Sequence, residues 1–228
     1  MIGPQLHFLK IQLSSGVHTK GIKNMIENPY LIHQFLSTLK RKDHDRVRDR
    51  MLFRLDLDPM NAPFVIAQTN FEPRTKGIAE IEDSDLVRRL AYKQIQPRFQ
   101  KHEVFRFRLR ANPTKLTTAP DGSTGGRKVR QPILDEMELE TWMARKGEDH
   151  GFSMVLQNLK KEGPVSFEKG DRIAGGSKTR TKRLVTLHSV LFEGTLQIRI
   201  GAKVTNAFAM GIGRGKGFGF GMLSLARR

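Results

Sequence analysis

Apolar and polar residues alternate over residues 5–13, QLHFLKIQL, and this period of two predicts a β-strand. A helical period follows in NPYLIHQFLSTLKRK, with Asn28 as the N-cap and Pro29 at the first helical position. Two short apolar runs come next, RMLFRLDL and PFVIAQTN, joined by the turn-like DPMNA, and they predict a hairpin. A weaker helical pattern covers Ser84 to Tyr92. The order strand, helix, hairpin, helix is most of a ferredoxin-like βαββαβ unit.

The second half of the chain repeats this order. It predicts a strand in EVFRFRLRAN, a helix opened by Pro132 in QPILDEMELETWMARK, and strands in FSMVLQNL and RLVTLHSVLFEGTLQIRI. A short helix around Val204 to Met210 and a strand in GMLSLA follow, while the insert TTAPDGSTGGRKVR has loop composition. We therefore expect an α+β protein with two tandem ferredoxin-like, RRM-like domains, at residues 1–95 and 102–228, and a C-terminal glycine-rich loop.

The first predicted helix has two faces of different character. Its apolar arc, which must face a core, consists of Leu31, Ile32, Phe35, Leu36 and Leu39. Tyr30 and His33 lie outside this arc and are neighbours on the helix surface, because they are three residues apart. An imidazole takes or gives a proton near neutrality, so the pair is a candidate for acid–base chemistry. The alternative is an exposed histidine beside a tyrosine that packs against a neighbouring domain.

Charge narrows the class of partner. Forty Lys and Arg against 23 Asp and Glu give a net charge of +17, which favours a polyanion, nucleic acid before membrane. A basic surface that only aids solubility is the alternative. The chain has no cysteine, and its seven histidines are dispersed without an HExxH motif, so we expect no metal site and no cofactor. It has no apolar run of 18 residues or signal peptide, so a soluble, cytoplasmic protein without a membrane partner is expected.

RNA suits a protein with these groups, because its 2′-hydroxyl is a built-in nucleophile that needs only proton transfer and charge neutralisation. Two basic segments could supply the charge. The first is a strand face with Arg106, Arg108 and Arg110, which is either a phosphate-contacting stripe or a solvated sheet face. The second is EKGDRIAGGSKTRTKR, either a hairpin that enters an RNA groove or a disordered charged loop. Its basic residues are Lys178, Arg180, Lys182 and Arg183.

Glycine occupies every second position in GIGRGKGFGFG. This stretch lacks the GxxxxGK[ST] pattern of a P-loop, and it precedes a strand, unlike a Rossmann turn. A disordered tail would not continue into the apolar GMLSLA. We therefore expect a glycine-rich loop in which a backbone approaches another backbone, or RNA, closely. Its glycines are Gly211, Gly213, Gly215, Gly217, Gly219 and Gly221.

Several stretches together resemble one known family, the CRISPR RNA-processing endoribonucleases of the CasE type, members of the RAMP superfamily found in Cascade complexes. The ending GIGRGKGFGFGMLSLA is similar to the glycine-rich loop and last strand of that family, and NPYLIHQFL to its first helix. The stretch FRFRLRANPTK is similar to the first strand of its second domain, and LFEGTLQI to the strand before the glycine-rich loop. Two features depart from the family pattern: the long SSGVHTKGIKNMIE before the first helix and the charged ending ARR.

The resemblance implies metal-independent cleavage within a CRISPR repeat, with a 2′,3′-cyclic phosphate or related product on the upstream fragment. His33 is then the principal acid–base residue, and Tyr30 orients it or the scissile phosphate. The implied partners are the CRISPR repeat stem-loop RNA, its cleaved product and other subunits of a Cascade-type complex. The RNA-binding candidates are Lys178, Arg180, Lys182, Arg183, Arg106, Arg108, Arg110, Lys115 and Lys216.

Two other functions remain open from the sequence. The first is a non-catalytic subunit of a CRISPR effector complex that holds guide RNA without cutting it, and such a subunit would not need His33. The second is a general binder of double-stranded RNA, which would show no preference for one hairpin sequence.

Overall fold

Two four-stranded antiparallel sheets organise this protein, one in each half of the chain. They are seen in a computed structural model that describes residues 3–14, 20–41, 43, 45, 48–57, 62–118, 128–170 and 182–227. The elements of the first half are β1 (Leu6–Leu13), α1 (Lys20–Glu27), α2 (Pro29–Leu36), β2 (Met51–Asp56), β3 (Phe64–Thr69), α3 (Thr75–Glu82) and β4 (Val87–Ile95). Those of the second half are β5 (Val104–Ala111), β6 (Thr114–Thr118), β7 (Lys128–Pro132), α4 (Glu136–His150), β8 (Phe152–Gly170), β9 (Lys182–Ile198), α5 (Gly201–Met210) and β10 (Leu223–Arg227).

The two sheets have equivalent strand orders. The first sheet is ordered β2-β3-β1-β4 and the second β10-β5-β9-β8, so in each the first strand of the unit lies between the third and the last. This arrangement is that of a ferredoxin-like unit, and it confirms the fold class expected from the element order. Each sheet takes its strands from one side of residues 96–103, but the proposed domain limits at residues 95 and 102 stay a prediction.

Each sheet has its own core. In the first half, alternate residues of β1 pack with the apolar faces of α1 and α2, and Ile32 and Leu36 of α2 are buried as the helical period predicts. In the second half, Phe105, Phe107 and Leu109 of β5 are buried against α4, and the exposed residues of the strand alternate with them.

The weak helix expected at Ser84 to Tyr92 is wrong. The helix of this region, α3, ends at Glu82, and Val87–Ile95 forms β4 instead, paired with β1 along its length. Most of the side chains of β4, an edge strand, are exposed on both faces, so its residues show no clear period of two. Pairing with β1, which is distant in sequence, determines its conformation.

Two boundaries in the second half also differ from the expectation. Pro132 ends β7 and does not open a helix, because α4 begins at Glu136 with Asp135 as its N-cap. The carboxylate of Asp135 accepts a hydrogen bond from the backbone N–H of Glu138 at 2.9 Å. The insert expected to be a loop supplies the end of β6 and the start of β7, which pair in a small sheet, while residues 119–127 lie outside the described part. No described helix is long and apolar enough to cross a membrane.

A buried glutamine joins the two halves. Gln68 of β3 is fully buried, and its Nε2 donates hydrogen bonds to the carbonyl oxygens of Phe208 (2.8 Å) and Ala209 (3.3 Å) in α5. These carbonyls are in the last turn of α5, where carbonyl oxygens lack N–H donors within the helix. Gln68 therefore supplies a partner across the contact between the halves.

Replacing Gln68 with methionine, which has a similar shape but no donor, should lower the free energy of unfolding by roughly 1–3 kcal/mol. The cost arises because two buried carbonyl groups lose their shared donor. Equilibrium denaturation would measure it, with Gln94→Met on the exposed side of β4 as the control. Equal losses in the two variants would contradict a structural role for the hydrogen bonds of Gln68.

Candidate active site

The local sequence places Tyr30 and His33 on the first two turns of α2. Asn28 is the N-cap, and its Oδ1 accepts a hydrogen bond from the backbone N–H of Tyr30 at 3.0 Å. Pro29 occupies the first turn, where a missing N–H costs nothing. At the other end, the hydroxyl of Ser37 donates to the carbonyl oxygen of His33 at 2.7 Å. Both ends of this short helix are therefore fixed by residues within its own segment.

The side chains of Tyr30 and His33 lie side by side, as their spacing predicts. Their ring centroids are 6.4 Å apart, and the ring planes differ by only 13°. Both residues are partly buried, whereas Gln34 beside them is exposed. The phenol and the imidazole therefore each keep part of their surface accessible.

The glycine-rich loop packs against this pair. It contains a short 3-10 helix, Lys216–Phe218, flanked by Gly215 and Gly219 with φ of 78° and 83°. A methyl group placed on Gly217 would lie 3.8 Å from both Cε1 and Nδ1 of His33. The backbone at Gly217 is therefore close to the imidazole, and α2 and the glycine-rich loop, which are far apart in sequence, meet here.

Phe218 extends the site toward β8, and the sequence analysis missed it. Its ring centroid is 6.4 Å from that of Tyr30 and 4.7 Å from that of Phe167. The ammonium of Lys169 lies 5.9 Å from the centroid of the Phe218 ring. An aromatic residue between glycines in a loop is the signal that could have identified Phe218, but nothing local indicates its neighbours.

Gly221 shows why glycine is needed in this loop. Its φ is +81°, and a Cβ there would lie 2.4 Å from the carbonyl oxygen of Ile212. The backbone N–H of Ile212 donates to the carbonyl of Gly221 at 2.8 Å, so the ends of the loop are joined directly. The expected close approach of two backbones is present here. The glycines of the stretch with positive φ are Gly211, Gly213, Gly215, Gly219 and Gly221.

The basic strand face of β5 is partly neutralised by carboxylates. Arg108 pairs with Glu193 at 2.7 Å, and Arg110 makes two hydrogen bonds to Glu162, at 2.7 and 2.9 Å. Arg106 is exposed and has no ion pair among the described residues. Lys115 contacts Glu138 at 2.5 Å. These pairs favour a structural role for Arg108 and Arg110, and RNA contact by all four cations stays a prediction.

The basic hairpin is only partly described. Lys178 and Arg180 lie outside the described residues, and Lys182 begins β9. Arg183 is exposed and pairs in register with Lys169 of β8. The described base of the hairpin therefore lies beside Phe218 and the Tyr30–His33 pair. Its contact with RNA stays a prediction.

The stability contributed by the ion pair between Glu162 and Arg110 should depend on pH. Burial alone would raise the pKa of this carboxyl, but hydrogen bonds from Arg110 and Ser189 outweigh it and hold the pKa below its ordinary value of 4.5. A carboxyl whose pKa is lowered by folding stabilises the folded state. This stabilisation is fully present when the pH is above the ordinary pKa, and it is lost as the pH falls through the lowered pKa.

We expect Glu162→Gln to destabilise the protein at neutral pH and to differ little from the wild type in acid. The free energy of unfolding, measured in denaturant at several pH values, would show this. Glu140→Gln on the exposed face of α4 is the control. A stability difference for Glu162→Gln that is constant with pH would contradict the assignment.

Comparisons with known proteins agree with this arrangement. A family model described as CRISPR associated protein matches residues 6–227. The chain is 28% identical over 222 residues to the CRISPR-associated endoribonuclease Cse3 of Thermus thermophilus, covering 91% of this chain and 94% of that protein.

Solved structures show the same fold. Thermus thermophilus Cse3 bound to an RNA representing a pre-cleavage complex matches with a TM-score of 0.74 and 25% identity, over 97% of this chain and 99% of that one. The CRISPR-associated protein Cas6e from Escherichia coli K-12 matches with a TM-score of 0.59 and 24% identity, over 98% and 100% of the chains. Because the family model spans the chain from β1 to β10, this protein belongs to the family of CRISPR associated proteins.

Proposed function

We propose that this protein is a metal-independent, sequence- and hairpin-specific endoribonuclease that cleaves CRISPR repeat RNA in precursor transcripts to give guide RNA. The observation that carries the proposal is the contact of the glycine-rich loop with the Tyr30–His33 pair, which places an acid–base residue beside bare backbone. The similarity to Cse3, an endoribonuclease with a structure in a pre-cleavage RNA complex, supports it.

The reaction needs only groups that this chain and RNA possess. The 2′-oxygen attacks the adjacent phosphorus and loses its proton, and the bond from phosphorus to the 5′-oxygen breaks as that oxygen gains a proton. The upstream fragment keeps a 2′,3′-cyclic phosphate, and the downstream fragment has a 5′-hydroxyl. His33 transfers the protons, and Tyr30 orients His33 or the scissile phosphate. Nearby cations offset the charge that develops on the phosphate oxygens.

The same proposal names the partners. The repeat stem-loop binds along the basic hairpin of β8 and β9, and its cleaved product is the guide RNA. A protein of the same fold occurs in a CRISPR RNA-guided surveillance complex, with a TM-score of 0.62. We accordingly propose that this chain joins other subunits of a Cascade-type complex, in the cytoplasm where its transcripts are made.

Single-turnover cleavage of the host's own CRISPR repeat RNA would test the function. With excess EDTA present, we expect one cut, a cyclic phosphate on the upstream product, and no cut when the nucleotide at that site lacks its 2′-hydroxyl. A 2′-deoxy nucleotide one position away is the control and should leave the cut intact. RNA that binds tightly but is never cut would show instead a non-catalytic subunit that holds guide RNA.

A further inference from the structure

A cavity of about 320 Å³ lies beside the glycine-rich loop, outside the Tyr30–His33 site. The backbone of Arg214 in the loop forms a bridge with Asn112, which follows β5, and both residues line this cavity. Its described lining contains six basic or titratable nitrogen side chains and no carboxylate. They come from β7, from α4 and from the loop: Arg130, Arg145, Lys146, His150, Arg214 and Lys216.

Burial and neighbouring positive charges lower the pKa of two members of this cluster, His150 and Lys216. Burial lowers the pKa of His150, and Lys146, Lys216 and Lys203 lower it further, against the opposing effect of Asp149. Burial also lowers the pKa of Lys216, with further contributions from Arg50 and Lys146. Like charges held together in a partly buried site are stabilised when an anion binds between them.

The carboxylate near this cluster is already engaged. Asp149 accepts a hydrogen bond from Lys146 at 2.8 Å, and it is exposed outside the cavity lining. Arg50, from the first half of the chain, adds a further cation near Lys216. Its Nε is buried and has no hydrogen-bond partner among the described residues. The cations therefore exceed the carboxylates available to pair with them.

Three successive residues of the loop relate this cavity to the candidate active site. Lys216 lines the cavity, Gly217 lies against the ring of His33, and Phe218 contacts Phe167 of β8. The loop therefore contacts the cavity, the imidazole and β8 within three successive residues. An RNA strand bound at His33 would have the cavity close by along the same loop.

We infer that this cavity binds a backbone phosphate of the single-stranded RNA that flanks the cut, on the side away from the stem-loop. Guanidinium groups match the oxygens of a phosphate in paired hydrogen bonds, and lysine adds a point charge. Held there, the flanking strand would be drawn past His33. The inference rests on the proposed function, and it assigns the flank to residues separate from those that hold the stem.

Binding of an uncut RNA, with a 2′-deoxy nucleotide at the cut, tests the inference. Two RNAs are compared: the repeat hairpin with its single-stranded flank, and the same hairpin with that flank removed. The variants are Arg145→Gln and Arg214→Gln, whose side chains are exposed and so tolerate replacement. The matched control is Lys101→Gln, because Lys101 is an exposed cation that precedes β5, at the opposite end of that strand from Asn112.

Each variant should weaken binding of the flanked RNA by about five- to tenfold. The slope of the logarithm of the binding constant against the logarithm of the salt concentration should also become shallower, by about 0.7 for each lost phosphate contact. Binding of the flankless hairpin, and all binding by Lys101→Gln, should match the wild type. Equal losses on both RNAs, or no loss on the flanked RNA, would overturn the inference. A wild-type protein that binds neither RNA, and that does not cut the flanked RNA when its 2′-hydroxyl is restored, would instead overturn the proposed function.

Discussion

His33→Ala is expected to slow cleavage of the repeat RNA by about 10²–10⁴-fold, the usual contribution of a positioned acid–base group. Its affinity for the RNA should change little, because the backbone of α2 is fixed by Asn28 and Ser37 and not by the imidazole. Single-turnover rates at saturating protein, together with binding of an uncut RNA, would separate the two effects.

Gln34→Ala is the control for this prediction. Gln34 is the exposed neighbour of His33 on the same helix, and its loss should leave the rate unchanged. Tyr30→Phe removes only the hydroxyl and retains a ring beside His33, so it reports on orientation through the phenol. Cleavage by His33→Ala at the wild-type rate would remove His33 from the mechanism.

Gly221→Ala should be the most damaging small change in the glycine-rich loop. A non-glycine residue at φ of +81° costs roughly 1–3 kcal/mol, and here the new methyl would also lie 2.4 Å from the carbonyl oxygen of Ile212. For a chain of this size, each 1 kcal/mol lowers Tm by about 2–4 °C. Cleavage should fall as well, because the displaced loop carries Gly217, which contacts His33. Thermal unfolding and the single-turnover rate would measure the two losses.

Gly163→Ala separates the two causes. Gly163 also has a positive φ, of 92°, but a Cβ there would meet nothing within 4 Å. It should therefore show the conformational cost alone, and the excess loss in Gly221→Ala would measure the clash with Ile212. Equal Tm changes in the two variants would mean that the loop yields to the methyl group without cost.

Much of the fold was predictable because its signals are local. The alternation in β5 identifies its buried face, and the helical period with its Asn28 cap identifies α2 and the outward Tyr30–His33 pair. These patterns involve residues a few positions apart, and the hydrogen bonds that form them close within the same segment. The repeated order of elements then indicated two ferredoxin-like units, as the sheet orders confirm.

Tertiary structure decided what depends on distant partners. The edge strand β4 exists because it pairs with β1, although its own residues resembled a helix. Arg110 of β5 pairs with Glu162 of β8, because β9 pairs with both strands in the second sheet and brings them close together. By itself the sequence determined the periodic elements and the side-by-side placement of Tyr30 and His33 on α2. Only tertiary packing brought Gly217 close to His33 and gathered the cations around Lys216. No local pattern indicates which remote segments will become neighbours.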